Sequence, residues 1–302
     1  MQMSKIGLLG STQIEHIERL FFNNGISVVN IGEKISNKCR IKNIISFIVL
    51  LFKIDTLYVV GQFGCLRHIR IAKFFGKKII VHWIGTDVLN AMNNTEEYSF
   101  YRCASIINLS GSSNLQKELL SIGIHASVIP IIPSGKLEYS LGQSTENHAV
   151  LVYMPEGREI FYGYEFVREL VLKHKKCEFH IVANSNTSLL PYKNVIFYGR
   201  ISPVEMAELY NRISILLRLP EHDGLSLMLL EALGRGKQVI YTYEFPYCET
   251  PISRSIEDVM FCFDKVLATP PFINKEAHNY VTQMYNSETI FDLYKKILID
   301  GK

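Results

Sequence analysis

Asp223-Gly-Leu-Ser-Leu-Met-Leu-Leu-Glu231, running on as Ala-Leu-Gly-Arg-Gly-Lys-Gln-Val-Ile240, is the stretch on which the reading of the chain turns. It reads as a turn that feeds a helix, with a short apolar strand following at once. The apolar run Ile215-Leu-Leu-Arg-Leu219 leads into it. Strand, turn, helix and strand in immediate succession form the repeating unit of a parallel α/β sheet. One carboxylate stands before the helix and another lies inside it.

The turn also carries a chemical signal. Helix N-termini present unpaired N–H groups and the positive end of the dipole, so this one suits a phosphate. Counted as helical from Asp223, Glu231 lies about 12 Å along the axis and roughly 80° around it. A ligand touching both must be long, with hydroxyls at each end and negative charge between them. A nucleotide-diphosphate-sugar has that shape. The plainer alternative makes Asp223 an N-cap, a role Asp favours, and Glu231 a solvated helix residue.

Working outward, the same alternation fills the chain. Lys5–Gly10 reads as a strand, Thr12–Asn23 as a helix and Ile26–Ile31 as a strand. Helices at Arg40–Phe52, Leu66–Phe75 and Ser112–Ile122 alternate with strands at Thr56–Val60, Lys78–Trp83, Ser105–Leu109 and Ser127–Ile131. The segment from Pro130-Ile-Ile-Pro133-Ser-Gly-Lys to about His148, rich in Pro, Gly and small polar residues, interrupts the pattern. Strands then return at Ala149–Tyr153, Glu178–Ala183, Asn194–Tyr198, Ser214–Leu219 and Gln238–Thr242. A helix is expected at Tyr162–His174, and a capping box at Ser202-Pro-Val-Glu205 opens another. Ile256 to Lys302 reads mainly as helices. The expectation is two doubly wound α/β domains, 1–135 and 136–302, with ligand in the cleft where the carboxyl ends of the strands meet.

The acidic stretch resembles the donor-binding motif of the retaining GT-B glycosyltransferases (the family 4-like, group 1 glycosyl transferases). There, two Glu bracket seven residues ahead of a Gly-x-Pro-Val-Ile-like strand. The resemblance implies that Asp223, in the first acidic position, contacts the donor sugar and that Glu231 holds the ribose. It implies that the amides of Gly224, Leu225 and Ser226 hold the diphosphate. The departure is Asp for Glu, which changes the reach of the first acid. Glu221 is a second candidate for that role, but the Gly-Leu-Ser that follows aligns better with Asp223. Tyr198-Gly199-Arg200-Ile201 stands where the family meets the nucleobase, and Ala183 and Asn184 stand where it lines the base pocket.

A diphosphate calls for cations. The family provides Arg and Lys spaced R-x4-K after the first strand of this domain. Here Arg158 matches and no Lys follows at that spacing, so Arg218 is the candidate second charge. Arg offers a planar fork suited to phosphate oxygens. The alternatives are a solvated loop residue for Arg158 and an ion pair with Glu221 or Asp223 for Arg218. In the first domain, His82-Trp-Ile-Gly-Thr-Asp87 ends a strand where the family has a similar segment facing the donor sugar. His82 and Asp87 are therefore candidate catalytic residues, the alternatives being a core histidine and a helix cap. Gly10-Ser11-Thr12-Gln13 and Gly61-Gln62-Phe63-Gly64 are weaker candidates for loops near donor and acceptor.

Composition narrows the classes. With 48% hydrophobic and 20% charged residues, the 302-residue chain is globular rather than disordered. A net charge of +3 does not point to nucleic acid, but suits an anionic donor or membrane surface. Six scattered cysteines without a C-x-x-C pair argue for reduced thiols and a cytoplasmic setting. The first residues do not read as a signal peptide. Ile44–Phe52 is too short to span a bilayer and reads as a buried helix, though basic neighbours leave an interfacial role at the inner membrane face open. No carboxylate cluster has metal-ligand spacing, and the D-x-D of metal-dependent GT-A enzymes is absent.

The expectation is a glycosyltransferase of polysaccharide-biosynthetic type. By resemblance it is retaining; without a carboxylate cluster it is expected to need no metal, to have no cofactor beyond its nucleotide-sugar donor, and to act on a glycan, lipid-linked or other hydroxyl acceptor. The rivals are a non-catalytic subunit of the same fold and a nucleotide-sugar epimerase.

Overall fold

The structure is a computed structural model that describes residues 5–10, 13–32, 40–61, 66–132 and 140–299. It divides into two compact units. The first comprises 1–137, 223–225 and 285–302, and the second comprises 138–222 and 226–284. The division expected at 135/136 falls outside the described residues, as do Ser11, Thr12 and Gln62-Phe63-Gly64. The C-terminal stretch is a difference from the sequence reading, since residues 285–302 belong to the first unit and not to the second.

The first unit holds a six-stranded parallel sheet in the order β2-β1-β3-β4-β5-β6. Its strands are β1 (Ile6–Gly10), β2 (Val28–Asn30), β3 (Thr56–Val60), β4 (Lys78–Trp83), β5 (Ile106–Ser110) and β6 (Ala126–Val128). The helices between them are α1 (Ile14–Asn23), α2 (Arg40–Leu51), α3 (Leu66–Phe74), α4 (Thr86–Asn93) and α5 (Ser113–Ser121), with a 3-10 turn at Glu97–Arg102. Every residue of β3 is buried, as befits a central strand covered on both faces. Gly10 closes β1 against β3, where an added Cβ would lie 1.9 Å from the Val60 carbonyl oxygen. Only glycine fits that approach. The side chain of Ser112 caps α5 by accepting from the Leu115 amide at 3.3 Å.

The second unit holds a five-stranded parallel sheet in the order β11-β10-β7-β8-β9. Its strands are β7 (Ala149–Tyr153), β8 (Glu178–Val182), β9 (Val195–Phe197), β10 (Ile215–Arg218) and β11 (Gln238–Tyr241). Its helices are α6 (Tyr164–Lys173), α7 (Pro203–Arg212), α8 (Leu227–Gly234), α9 (Ile256–Leu267) and α10 (Lys275–Met284). The capping box at α7 forms as read: Glu205 N–H donates to Ser202 Oγ at 3.3 Å and Ser202 N–H donates to Glu205 Oε2 at 2.7 Å. The core gathers Val150, Val152, Phe179, Ile181, Ile215 and Leu217 under α6 and α9. The chain runs outward through β7, β8 and β9, then returns to place β10 on the other side of β7. Sheets of this kind open a crevice where the order reverses, beyond the carboxyl ends of the strands.

The last helix, α11 (Ser287–Ile299), belongs to the first unit. Tyr294 is 1% exposed, lies edge-on to Phe21 at 5.2 Å, and shares a hydrogen bond with Tyr58 at 3.3 Å. Lys78 Nζ donates to the Ile297 carbonyl at 2.8 Å. An aromatic anchor and one charge-assisted bond thus fix the helix to this sheet.

Candidate active site

The second unit contains a concavity of about 560 Å³ at the carboxyl ends of β7 and β8, between α7 and α8. Tyr153 ends β7, and Val182 with Ala183 ends β8. Gly199, Arg200 and Ile201 form one edge, Pro203 and Met206 come from α7, and Glu231 and Arg235 come from α8. The volume and the mix of apolar walls with few polar groups suit a small organic ligand.

Glu231 is the acid of this cavity. The Tyr210 hydroxyl donates to its Oε2 at 2.9 Å, and Tyr210 is itself 1% exposed. The Arg235 guanidinium lies 4.6 Å from the Tyr210 ring centre and donates to the Glu231 carbonyl at 3.1 Å. Burial raises the Glu231 pKa, while the Tyr210 hydrogen bond and the Arg235 charge act to lower it. One carboxylate oxygen is thereby held by the protein. Arg235 follows Glu231 at the i, i+4 spacing of a stabilising helical pair, a signal that was present in the sequence. Tyr210 lies twenty-one residues away and gave none.

The helix of the acidic stretch starts later than expected. Its N-cap is Ser226, whose Oγ accepts from the Leu229 amide at 3.4 Å, and α8 begins at Leu227. Asp223 is therefore not the N-cap, and the spacing counted from a helix at Asp223 does not apply. Glu231 sits little more than one turn into α8. Asp223, Gly224 and Leu225 belong to the first unit. There Gly224 meets the strand-end loop after β4 so closely that an added Cβ would lie 2.2 Å from the Ile84 carbonyl oxygen.

The two arginines converge. Arg158 lies over the Phe161 ring at 4.2 Å and the Tyr162 ring at 5.4 Å. Arg218, at the end of β10 and 8% exposed, lies 5.6 Å from the centres of both Tyr153 and Tyr162. Tyr153 and Tyr162 meet edge-on at 5.1 Å. Tyr162 is thus flanked by both guanidinium groups, an arrangement that holds two like charges near one another on aromatic faces. Tyr153 carries the pair to the wall of the cavity.

Asn184 has a different part from the one expected. It is fully buried, its Nδ2 donates to Glu159 Oε1 at 3.0 Å, and its Oδ1 accepts from the Asn186 amide at 2.9 Å. Its side chain ties the 155–163 loop to the end of β8 and is not on the cavity wall. Ala183 and Gly199 do line the cavity, with φ of 67° and 63°, and Ala183 N–H donates to the Gly199 carbonyl at 2.6 Å. The exposed Glu156 beside them accepts from the Ser185 amide and hydroxyl, which hold its pKa below the usual range.

The first-unit candidates, His82 and Asp87, are both buried. His82 lies inside β4 with no exposed surface, hydrogen-bonded through Nδ1 to the Tyr58 hydroxyl at 2.7 Å. Burial pushes its pKa down to about 3, so it is a neutral core imidazole. Asp87 is equally buried, and its carboxylate accepts from the amides of Ile84, Gly85 and Val88 at 2.8–3.2 Å. It organises the turn into α4. Neither side chain has exposed surface in this structure, which agrees with the alternatives of a core histidine and a turn-organising aspartate. Among the described residues, no three His, Cys, Asp or Glu stand close enough to share a metal ion.

No family model matches the chain, and no curated protein matches it. Solved structures do. Sucrose-phosphate synthase from Thermosynechococcus elongatus superposes with a TM-score of 0.74 at 12% identity, over 97% of this chain and 99% of that one. The fold is that of the GT-B glycosyltransferases. The lipopolysaccharide outer core galactosyltransferase WaaB matches this GT-B chain with a TM-score of 0.70 at 14% identity, over 99% and 100%. Anabaena HepE, solved in complex with UDP, gives 0.70 at 14% identity, over 98% and 99%.

Proposed function

We propose that the protein is a glycosyltransferase that binds a nucleotide-diphosphate-sugar through its second unit and transfers the sugar to a hydroxyl of a glycan or lipid-linked acceptor. The observation that carries this reading is Glu231, a partly buried carboxylate turned to a cavity at the carboxyl ends of a parallel sheet and held there by Tyr210. Its remaining acceptor capacity suits the paired hydroxyls of a ribose. The backbone about Ala183, Gly199 and Arg200 is assigned to the base. Arg158 and Arg218 are assigned to the diphosphate, and the convergence of both on Tyr162 supports that pairing. The Ser226 amide, also of the second unit, is assigned to the diphosphate. The assignments of Gly224 and Leu225 to the diphosphate and of Asp223 to the sugar hydroxyls concern residues of the first unit and rest on the resemblance alone.

In this reading the chemistry is leaving-group stabilisation. Negative charge grows on the diphosphate as the glycosidic bond breaks, and fixed cations and amides lower the barrier most where they face that charge. The resemblance further assigns retention of anomeric configuration, and the sequence, without carboxylates at metal-ligand spacing, supports independence from metal. Transfer that persists in excess EDTA is the expected result, and loss restored by Mg²⁺ or Mn²⁺ overturns the metal-free part.

A second reading, a nucleotide-binding subunit without transferase activity, is favoured by the burial of His82 and Asp87 and by Asp223 standing where the family has Glu. A panel of nucleotide-sugars scored for both binding and turnover decides between them. Binding with transfer or slow hydrolysis supports the enzyme, binding with neither supports the subunit, and no binding overturns both.

A further inference from the structure

Charge is unevenly distributed along the chain. Positions 34 to 86 hold ten of its 32 Lys and Arg but one of its 29 Asp and Glu, Asp55. That stretch has a net charge of +9, leaving −6 for the rest. Within it, neither α2 nor α3 contains an acidic residue.

The same stretch exposes apolar side chains as a group. Phe47 and Leu51 of α2 are fully buried in the first unit's core. Ile45 and Val49, spaced i and i+4 on the same helix, are 58% and 53% exposed, and Phe52, in the turn directly after it, is 72% exposed. Phe74 at the end of α3 is 87% exposed. Phe75 bridges the two helices, its ring 5.7 Å from Phe52 and 5.6 Å from Phe74. The stripe on α2 therefore runs into an aromatic cluster at the end of α3. Lys53 adjoins Phe52 and is exposed, and Arg67 and Arg70 precede Phe74 on the same face of α3. Lys77 joins the helix ends, its Nζ donating to the Ile54 carbonyl at 2.8 Å. Single exposed hydrophobic residues are ordinary, but a contiguous apolar face rimmed by charge marks an interaction surface.

We infer that this face of α2 and α3 docks on the surface of an anionic lipid bilayer. Phe52, Phe74 and the aliphatic stripe enter the headgroup layer, and the surrounding Lys and Arg meet lipid phosphates. Charge complementarity selects this occupant, because exposed apolar side chains on two helices that carry Lys and Arg and no carboxylate match an interface that is apolar below and negative above. Among the described residues, no helix is long and apolar enough to cross a membrane, so the contact is peripheral. The inference does not use the cavity assigned to the nucleotide, whose lining residues all belong to the second unit.

Co-sedimentation of the full chain with vesicles tests it. The protein is expected to pellet with phosphatidylcholine–phosphatidylglycerol vesicles, to stay in solution with phosphatidylcholine alone, and to be released by salt. Phe52→Glu with Phe74→Glu should weaken partitioning about tenfold or more. Lys53→Ala should weaken it about fivefold, the effect of one basic residue at such a surface. All three changes are at exposed positions, and unchanged thermal melting confirms the fold. Failure to pellet with anionic vesicles, equal binding to neutral ones, or wild-type binding by the double variant overturns the proposal. So does a dimer in sedimentation velocity that the double variant dissociates, since a second copy then covers the face.

Discussion

Two strand ends, one in each unit, make different use of their polar residues. At the end of β4, His82 and Asp87 are enclosed, with His82 Nδ1 bonded to Tyr58 and the Asp87 carboxylate to three backbone amides. Beyond the carboxyl ends of β7, β8 and β10, Arg158 and Arg218 lie against the Tyr162 ring and Glu231 accepts from the Tyr210 hydroxyl. The first pattern spends polar groups on holding a loop, and the second supports them from behind. A polar residue at a strand end is thus a site residue only when something else satisfies its neighbours' backbone. In the second unit Glu156, Glu159 and Asn184 do that work.

The sharpest test of the first pattern is pH. His82 has its folded pKa pushed down to about 3, against an ordinary value of ~6.5. As pH falls through ~6.5 the unfolded chain takes up a proton that the folded chain refuses until near 3. Stability is therefore lost across that window, by about 1.4 kcal/mol per pH unit from this group and several kcal/mol in all. Urea unfolding at a series of pH values should show this slope, and His82→Asn should reduce it by one proton. An unchanged slope means that His82 already titrates in the folded state and is not enclosed.

Next in size is Arg218→Ala, expected to lower transfer about 10²- to 10³-fold, the usual effect of removing a group that faces developing charge. Binding of the bare nucleoside, which lacks that charge, should change little. If the variant unfolds and Arg218→Lys rescues the fold without activity being altered, the residue is structural and the two strand ends resemble each other after all. Asp87→Ala should cost about 3 kcal/mol of stability, because three amides, two of them buried, lose a charged acceptor. Nucleotide affinity in the folded variant should be unchanged. An Asp87→Asn protein of normal stability that binds donor but does not transfer would instead return Asp87 to the chemistry.

Glu231→Ala should weaken nucleoside diphosphate binding by about 1.5–3 kcal/mol in calorimetry, with the fold retained. Tyr210→Phe should have the smallest effect, about 1 kcal/mol, and a distinctive pH signature. Burial raises the Glu231 pKa and Tyr210 opposes the rise. Without the hydroxyl the carboxyl holds its proton to higher pH, so the acid limb of nucleotide binding should move upward. A loss of affinity with no shift in that limb argues that Tyr210 shapes the cavity and does not tune the acid.

Most of the fold was legible because both periods are local. Runs such as Thr56–Val60 and Ile215–Arg218 are fully buried strands, and the Ser202–Glu205 capping box specifies its helix from four consecutive residues. Glu231 and Arg218 were nameable because a carboxylate within a helix and a cation in an apolar strand need a reason to be there. The start of α8 was misplaced because Asp223 and Ser226 are both competent caps and the sequence does not say which amides each one faces. Tyr210, Tyr153 and Tyr162 gave no signal, since an aromatic residue in an amphipathic helix or loop reads as core wherever it sits.

The sequence by itself determined the two alternating α/β units, the acidic stretch and its basic counterparts, and the excess of positive charge in positions 34–86. These depend on periodicity and residue type, which neighbours in the chain reveal. Tertiary structure alone decided that His82 and Asp87 are enclosed, that Arg158 and Arg218 share one ring, and that α11 returns to the first unit. The His82 bond to Tyr58, the Arg218 contact with Tyr162 and the α11 bond to Tyr58 join residues tens or hundreds apart, whereas Asp87 meets amides within three residues and only its burial was left to packing. Hydrogen bonds and ring contacts at such separations are set by packing, and no local pattern encodes them.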